Sequence, residues 1–232
     1  HAAVQSAPTP LAACRKRPAS EALTSPPTSV RILVDRRERL RDADPRGLFE
    51  RVAAAVAKTG ASASRRRLRF GDFGWVAGPE GREDPDCDVL GCVVERKRIA
   101  DLVGRSAVGD HIRQLQRLES CGLPHVFLLL EGEVRQASAC AVFDEDVACE
   151  ARDAVHSEED VDELCAGFII RDSNVRVLTS KDAEGTSRLL GLLTSWLQWT
   201  RCSRGGPCSS FQQWEAAAAR RAAARDEIVP IL

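Results

Sequence analysis

Four acids and one lysine fall where extended segments should end. Asp35 and Glu38 follow the apolar run 30–34, Asp72 lies within the run 68–76, and Glu95 and Lys97 come at the end of a third run that starts at residue 88. Side chains alternate along a strand, so Glu95 and Lys97, two apart, share a face. Pairing of the second and third runs would bring Asp72, near the middle of its predicted strand, beside Glu95. Two close carboxylates repel, and burying them without a partner is costly. A hard cation removes both difficulties. Mg²⁺ takes oxygen ligands and keeps bound water, and Mn²⁺ suits the same donors. Such an ion can hold a phosphate oxygen, acidify a bound water and offset charge in a transition state. Lys97 would orient or deprotonate the attacking water, or neutralise developing charge. This chemistry is phosphodiester hydrolysis, with Asp72 and Glu95 as metal ligands. One metal or two is left open. Spacing alone is weak support, because charged residues flank many strands as plain solvated ends. The Arg-Lys-Arg of residues 96–98 would equally serve as a basic surface patch.

The elements that must position these groups alternate between strand and helix. Residues 30–34 form a short apolar run, interrupted by Arg31, with β-branched Val and Ile, as in a buried strand ending at Asp35. Leu48, Val52, Ala55 and Val56 recur at helical spacing, and Gly60 closes that segment. Strands are expected over 68–76 and 88–95, with a turn-rich loop at 78–86. Short helices follow at 99–103 and 111–121. Five apolar residues at 126–130 predict a strand covered on both faces, with helices outside the sheet. Residues 175–178 read as an edge strand. Leu189, Leu190, Leu193, Trp196 and Leu197 predict a packed helix over 187–199. Residues 201–210 read as a Gly/Ser/Cys linker, and 211–224 as an Ala/Arg-rich helix. The fold class is α/β, around one mostly buried sheet.

Composition narrows the class further. The chain has 232 residues, 44% hydrophobic and 29% charged, enough for a real core. Net charge is −1, so any nucleic-acid contact must come from local basic patches. Arg65, Arg66, Arg67 and Arg69 precede the second predicted strand and form one such patch; phosphate contact and a solvated loop are equally good readings of it. Nine cysteines show no zinc spacing, which suits reduced thiols in a cytosolic or nuclear protein. No signal peptide or membrane span is visible. Residues 1–29, rich in Ala, Pro, Ser and Thr, are expected to be a disordered lead-in. Its Arg15-Lys16-Arg17 run could be a nuclear signal or merely a solvated tail. The chain has no Met and starts with His, as a fragment of a longer protein would. Residues 144–163 hold ten acids against one Arg, which reads as a solvated loop or insertion.

A longer string sharpens the assignment. Gly71-Asp72-Phe73, then Val94-Glu95-Arg96-Lys97-Arg98, then Asp101-Leu102 resembles the signature of the XPF family of structure-specific endonucleases. That signature runs Gly-Asp, a variable gap, Glu-Arg-Lys, three residues and Asp. The flanks, 71–77 and 93–102, are similar to the MUS-type crossover junction endonucleases, on their catalytic side. Gln114, Arg117-Leu118 and Cys121-Gly122-Leu123 extend the likeness, and Val34-Asp35 with Glu38 resembles that family's first acidic strand end. The resemblance covers about residues 30–199.

The resemblance implies a restriction-endonuclease-like core with a mixed central sheet flanked by helices. It implies Asp72 and Glu95 as ligands of Mg²⁺ and Lys97 as the catalytic lysine. Asp35, Glu38 and Asp101 would be supporting acids. Arg96 would lend its backbone carbonyl to the metal while its side chain holds the site. Arg98 joins Arg65, Arg66 and Arg67 as candidate DNA contacts. The implied substrates are 3′ flaps, replication forks and nicked Holliday junctions, cut during DNA repair and recombination in the nucleus. The implied partner is a non-catalytic paralogous subunit in a heterodimer. Two alternatives stand beside this: a non-catalytic binding or scaffold subunit, and a nuclease of the same core with another target. Departures are also visible. Gly109-Asp110 stands where the family usually has Gly-Arg, and an acid there would repel phosphate. Residues 144–163 match poorly. Residues 211–232 look like a linker helix leading to a tandem helix-hairpin-helix module that this chain does not contain.

Overall fold

The computed structural model describes residues 28–38, 47–99, 101, 110–132, 174–204 and 209–228. The first strand, β1 (Thr28–Asp35), is buried from Ile32 to Asp35. Helix α1 (Leu48–Ala57) follows, burying Leu48, Val52 and Val56 at intervals of four, one stripe of a 3.6-residue helix. It leads into β2 (Ser62–Arg66), which pairs parallel to β1. Then come β3 (Phe73–Pro79) and β4 (Asp88–Arg98), each antiparallel to its predecessor in the sheet. Helix α2 (Asp110–Glu119), β5 (His125–Glu131), β6 (Val175–Ser180), α3 (Ala183–Arg204) and α4 (Phe211–Ile228) complete the described elements.

The sheet has six strands in the order β2-β1-β3-β4-β5-β6. Only β3 runs against the rest, so five strands finish at one end of the sheet and β3 begins there. Ligands of open α/β sheets gather at such carboxyl ends. This is the mixed central sheet with flanking helices that the sequence predicts. Alternating side chains divide its core into two. Ile32, Phe73, Trp75, Val94, Phe127 and Leu129 pack with Leu48 and Val52 of α1 and Leu190 and Leu197 of α3. On the other face Leu33, Val76, Val93, Leu128 and Leu130 pack with Leu118 of α2 and with Phe211, Trp214 and Ala218 of α4.

The structure corrects several expectations. The strand expected over 68–76 starts at Phe73, and Asp72 precedes it rather than lying mid-strand. Gly71 is the reason: its φ of +69° breaks extension just before β3. Strand β2 is additional, and its Ser-Ala-Ser-Arg-Arg sequence carries no apolar signal. Helix α3 runs on to Arg204 and absorbs the start of the expected linker. Helix α4 packs against the sheet. Phe211, Trp214 and Ala218 bury one side of it, and Trp214 Nε1–H donates to the Cys121 carbonyl at 3.0 Å. Strand β1 takes Thr28 and Ser29 from the expected lead-in. The acidic segment 144–163, most of the helix expected over 99–103, and the basic run 15–17 lie outside the described residues. No described helix is long and apolar enough to cross a membrane.

Candidate active site

Gly71 places the first acid. A Cβ on this residue would stand 2.4 Å from Val93 Cγ2 and 2.8 Å from the Val94 carbonyl oxygen. Only hydrogen fits there, and the positive φ suits glycine as well. The chain can therefore press against β4, and the Asp72 N–H donates to Val94 O at 2.8 Å. The Asp72 carbonyl accepts the Asp35 N–H, also at 2.8 Å. Asp72 thus bridges the ends of β1 and β4. Gly71→Ala should lower unfolding free energy by about 2–4 kcal/mol, from overpacking and left-handed strain together. Urea denaturation of the variant measures this, and a loss under about 1 kcal/mol would show that the contact relaxes easily.

Phe73 pairs with Val94, so one step on, Asp72 stands opposite Glu95. A cleft of about 340 Å³ opens at this end of the sheet, with Asp72, Glu95 and Lys97 on its wall. Glu38, Arg96, Arg98 and Asp101 line it too, as does Arg37. Glu95 and Lys97 share the face that α2 covers. There Lys97 Nζ donates to Gln114 Oε1 at 2.8 Å. Arg96 points to the opposite face, while its N–H donates to Asp72 Oδ2 at 2.8 Å. A strand residue's carbonyl lies on the same edge as its amide, so the Arg96 carbonyl also looks toward the β3 side.

Four acids and four basic side chains line the cleft, and three of the acids resist ionisation. Burial pushes the Asp72 carboxyl well above its ordinary value, and the charges of Glu95 and Glu38 push it further. Burial lifts Glu95 to about 7, against the pull of the Lys97 ammonium. Glu38 is raised by burial although Arg96 stands beside it. Burial is the largest cause of each shift, and the neighbouring acids add to it, so holding Asp72 and Glu95 ionised together calls for further positive charge. A divalent cation between Asp72 and Glu95 would supply it. Among the described residues no three His, Cys, Asp or Glu side chains form a ready ligand set. Two carboxylates completed by water and substrate oxygens are the partial shell that Mg²⁺ accepts.

Asp35 lies behind the cleft wall. Its carboxylate accepts the Leu68 N–H at 2.8 Å, the Arg37 N–H at 2.7 Å and two bonds from the Arg37 guanidinium. Burial alone would raise its pKa, but these bonds prevail and hold it below 3.8. A carboxyl depressed in the folded state contributes stability above its unfolded value, and loses it as pH falls through the folded one. Asp35→Asn should therefore cost most near neutrality, its deficit shrinking below pH 3.8. Denaturation curves of both proteins across that range test this, and a pH-independent deficit would refute it.

The ERCC4 domain family model matches residues 34–193, which include every residue of the cleft described above. This chain belongs to the ERCC4-domain family. Two curated relatives of the domain are similar over shorter stretches. The "Structure-specific endonuclease subunit MUS81" of Rattus norvegicus is 41% identical over 78 residues, 32% of this chain and 14% of that protein. The Mus musculus protein of the same name is 42% identical over 69 residues, 28% of this chain and 12% of that protein. The matches thus span only a small part of those relatives. Two solved structures, "XPF from Aeropyrum pernix" and the same protein in "complex with DNA", are 19% and 21% identical. Each has a TM-score of 0.44, covering 75% and 73% of this chain and 67% and 65% of those chains. The ERCC4 domain, and the similarity to the two MUS81 proteins, agree with what the Gly-Asp and Glu-Arg-Lys strings lead one to expect.

Two residues of this ERCC4 domain escape sequence reasoning. Glu131 ends β5, buried on the face that Arg96 shares. It receives both the Nε and Nη2 of Arg96, the former at 2.8 Å, and the Thr186 hydroxyl of α3 at 2.5 Å. Arg96 Nη1 meets Glu38 at 2.5 Å. An acid closing a fully apolar run was the available signal. Arg37 is the second, two residues past Asp35. Of the nominated DNA contacts, Arg98 lines the cleft. Arg65 is held by Glu50 at 3.1 Å and lies over Phe49. Arg66 stands opposite Asp35 in the sheet and over the Phe211 ring. Arg67 is exposed. Arg117 bonds the Arg69 carbonyl at 2.8 Å and acts electrostatically on Glu95.

Proposed function

We propose that this domain is the nuclease unit of a structure-specific DNA endonuclease. The observation that carries the reading is the meeting of Asp72, Glu95 and Lys97 in one cleft of an ERCC4 domain. Asp72 and Glu95 would hold Mg²⁺, with Mn²⁺ able to replace it. When bound, the ion supplies Lewis acidity at the scissile phosphate and makes bound water acidic. Lys97, fixed by Gln114 on the Glu95 face, orients the attacking water or neutralises charge on the departing oxygen. Arg96, clamped between Glu38 and Glu131, keeps the β4 end rigid so that these groups stay in position. Substrates are branched DNA: 3′ flaps, replication forks and nicked Holliday junctions. The chain acts in the nucleus, in repair and recombination, paired with a non-catalytic paralogous subunit. The relatives' printed names, each an endonuclease subunit, support that pairing.

The test is cleavage of end-labelled flap, fork, nicked junction and plain duplex by the protein, with Mg²⁺ or EDTA and with and without the partner. Mg²⁺-dependent incision near the branch is expected. Binding without incision under all conditions would favour a scaffold subunit, and equal cutting of plain duplex would favour a nuclease with another target.

A further inference from the structure

Arg37 lines the cleft and has no part in this chemistry. Arg37 Nε donates to Asp35 Oδ1, and Nη2 donates to Asp35 Oδ2 and to the Leu68 carbonyl, each at 2.9 Å. Asp35 is itself immobilised: its side chain has no exposed surface, and the amides of Arg37 and Leu68 bind it. A guanidinium carries five N–H groups. Three are thus engaged, and the two on Nη1 have no partner among the described residues. The Arg37 side chain is nevertheless 62% exposed and lines the cleft. The Arg37 guanidinium offsets the buried Asp35 charge along one edge and leaves its other edge exposed. Arg37 also feels the charges of Asp72 and Glu95, so its charge lies within reach of the candidate ligands.

We infer that Arg37 is a preset anchor for a phosphate of the nucleic-acid backbone, fixed by Asp35 before the strand enters the cleft. The inference rests on reading the cleft as a nucleic-acid site. Arg suits the task because its planar fork binds phosphate directionally, and pinning one edge removes the ordering cost on binding. Phosphate contacts position a backbone without reading sequence, as a structure-specific site requires.

Arg37→Gln and Arg37→Lys test this in the intact protein. Flap-DNA affinity is measured without metal over a range of salt, alongside thermal melting. In Arg37→Gln the slope of log K against log salt should fall by about one phosphate contact. Mg²⁺-dependent cleavage at subsaturating DNA should drop about tenfold or more. Arg37→Lys should retain the slope, because it keeps the charge. A lower melting temperature in Arg37→Gln with the wild-type slope intact would overturn the inference, leaving Arg37 as a clamp on Asp35 only. If wild type does not cut with Mg²⁺ but Arg37→Gln still flattens the slope, the nuclease reading falls and the anchor stands.

Discussion

Asp72→Asn should cut Mg²⁺-dependent incision by about 10³-fold or more, since it removes a carboxylate from the cation and from the scissile phosphate's surroundings. The same substitution should not weaken the fold in metal-free buffer. Burial, and after it the Glu95 and Glu38 charges, oppose ionisation of the Asp72 carboxyl in the folded protein. Its folded pKa is raised, so the charge lowers stability above that pKa, and the loss is relieved as pH falls toward the unfolded value. Asn resembles the protonated acid and keeps an oxygen for the Arg96 N–H, which sits 2.8 Å from Asp72 Oδ2. Melting in EDTA should therefore show the variant at or above wild type. Mg²⁺ should raise the wild-type melting temperature and leave the variant's unchanged. A variant that cuts normally, or melts well below wild type in EDTA, would disprove the assigned role.

Arg96→Met should produce the largest loss of stability, about 3–5 kcal/mol, because it strips the counter-charge from buried acids. The Arg96 and Glu131 side chains are 5% and 8% exposed, so water cannot replace the pair. Of the contacts described for Glu131, only the Thr186 hydroxyl would remain. Adding Glu131→Gln should restore part of the loss, and a double-mutant cycle by urea denaturation isolates the coupling. Additive losses would mean that the two side chains do not act as a unit. Arg96→Lys is expected to behave nearly as badly as Met, since an ammonium cannot fork to two carboxylates at once.

The buried strands were legible because both faces are covered. Residues 126–130 are apolar without alternation, 30–34 are so but for Arg31, and they became β5 and β1. Glu95 and Lys97 were legible as a pair through strand periodicity alone. Strand β2 was not, because an edge strand held by main-chain bonds to β1 needs no apolar side chains. The place of Asp72 was misjudged by periodicity, since the left-handed turn at Gly71 interrupts extension while the flanking residues stay apolar. Arg37 and Glu131 were missed for a different reason. Arg37 turns back on Asp35 and the Leu68 carbonyl, while Glu131 meets Arg96 of β4 and Thr186 of α3, and such side-chain contacts leave no local period.

Strand β3 carries a requirement that joins the two ends of the molecule. Trp75 is fully enclosed, with its indole N–H given to Thr194 of α3 at 2.8 Å. Sliding β3 by one residue would turn every side chain over, evicting Trp75 from its niche as surely as it misaligned Asp72 with Glu95. A catalytically dead register is therefore also a misfolded one. Preparations should contain molecules that either work or fail to fold, with few well-folded idlers between.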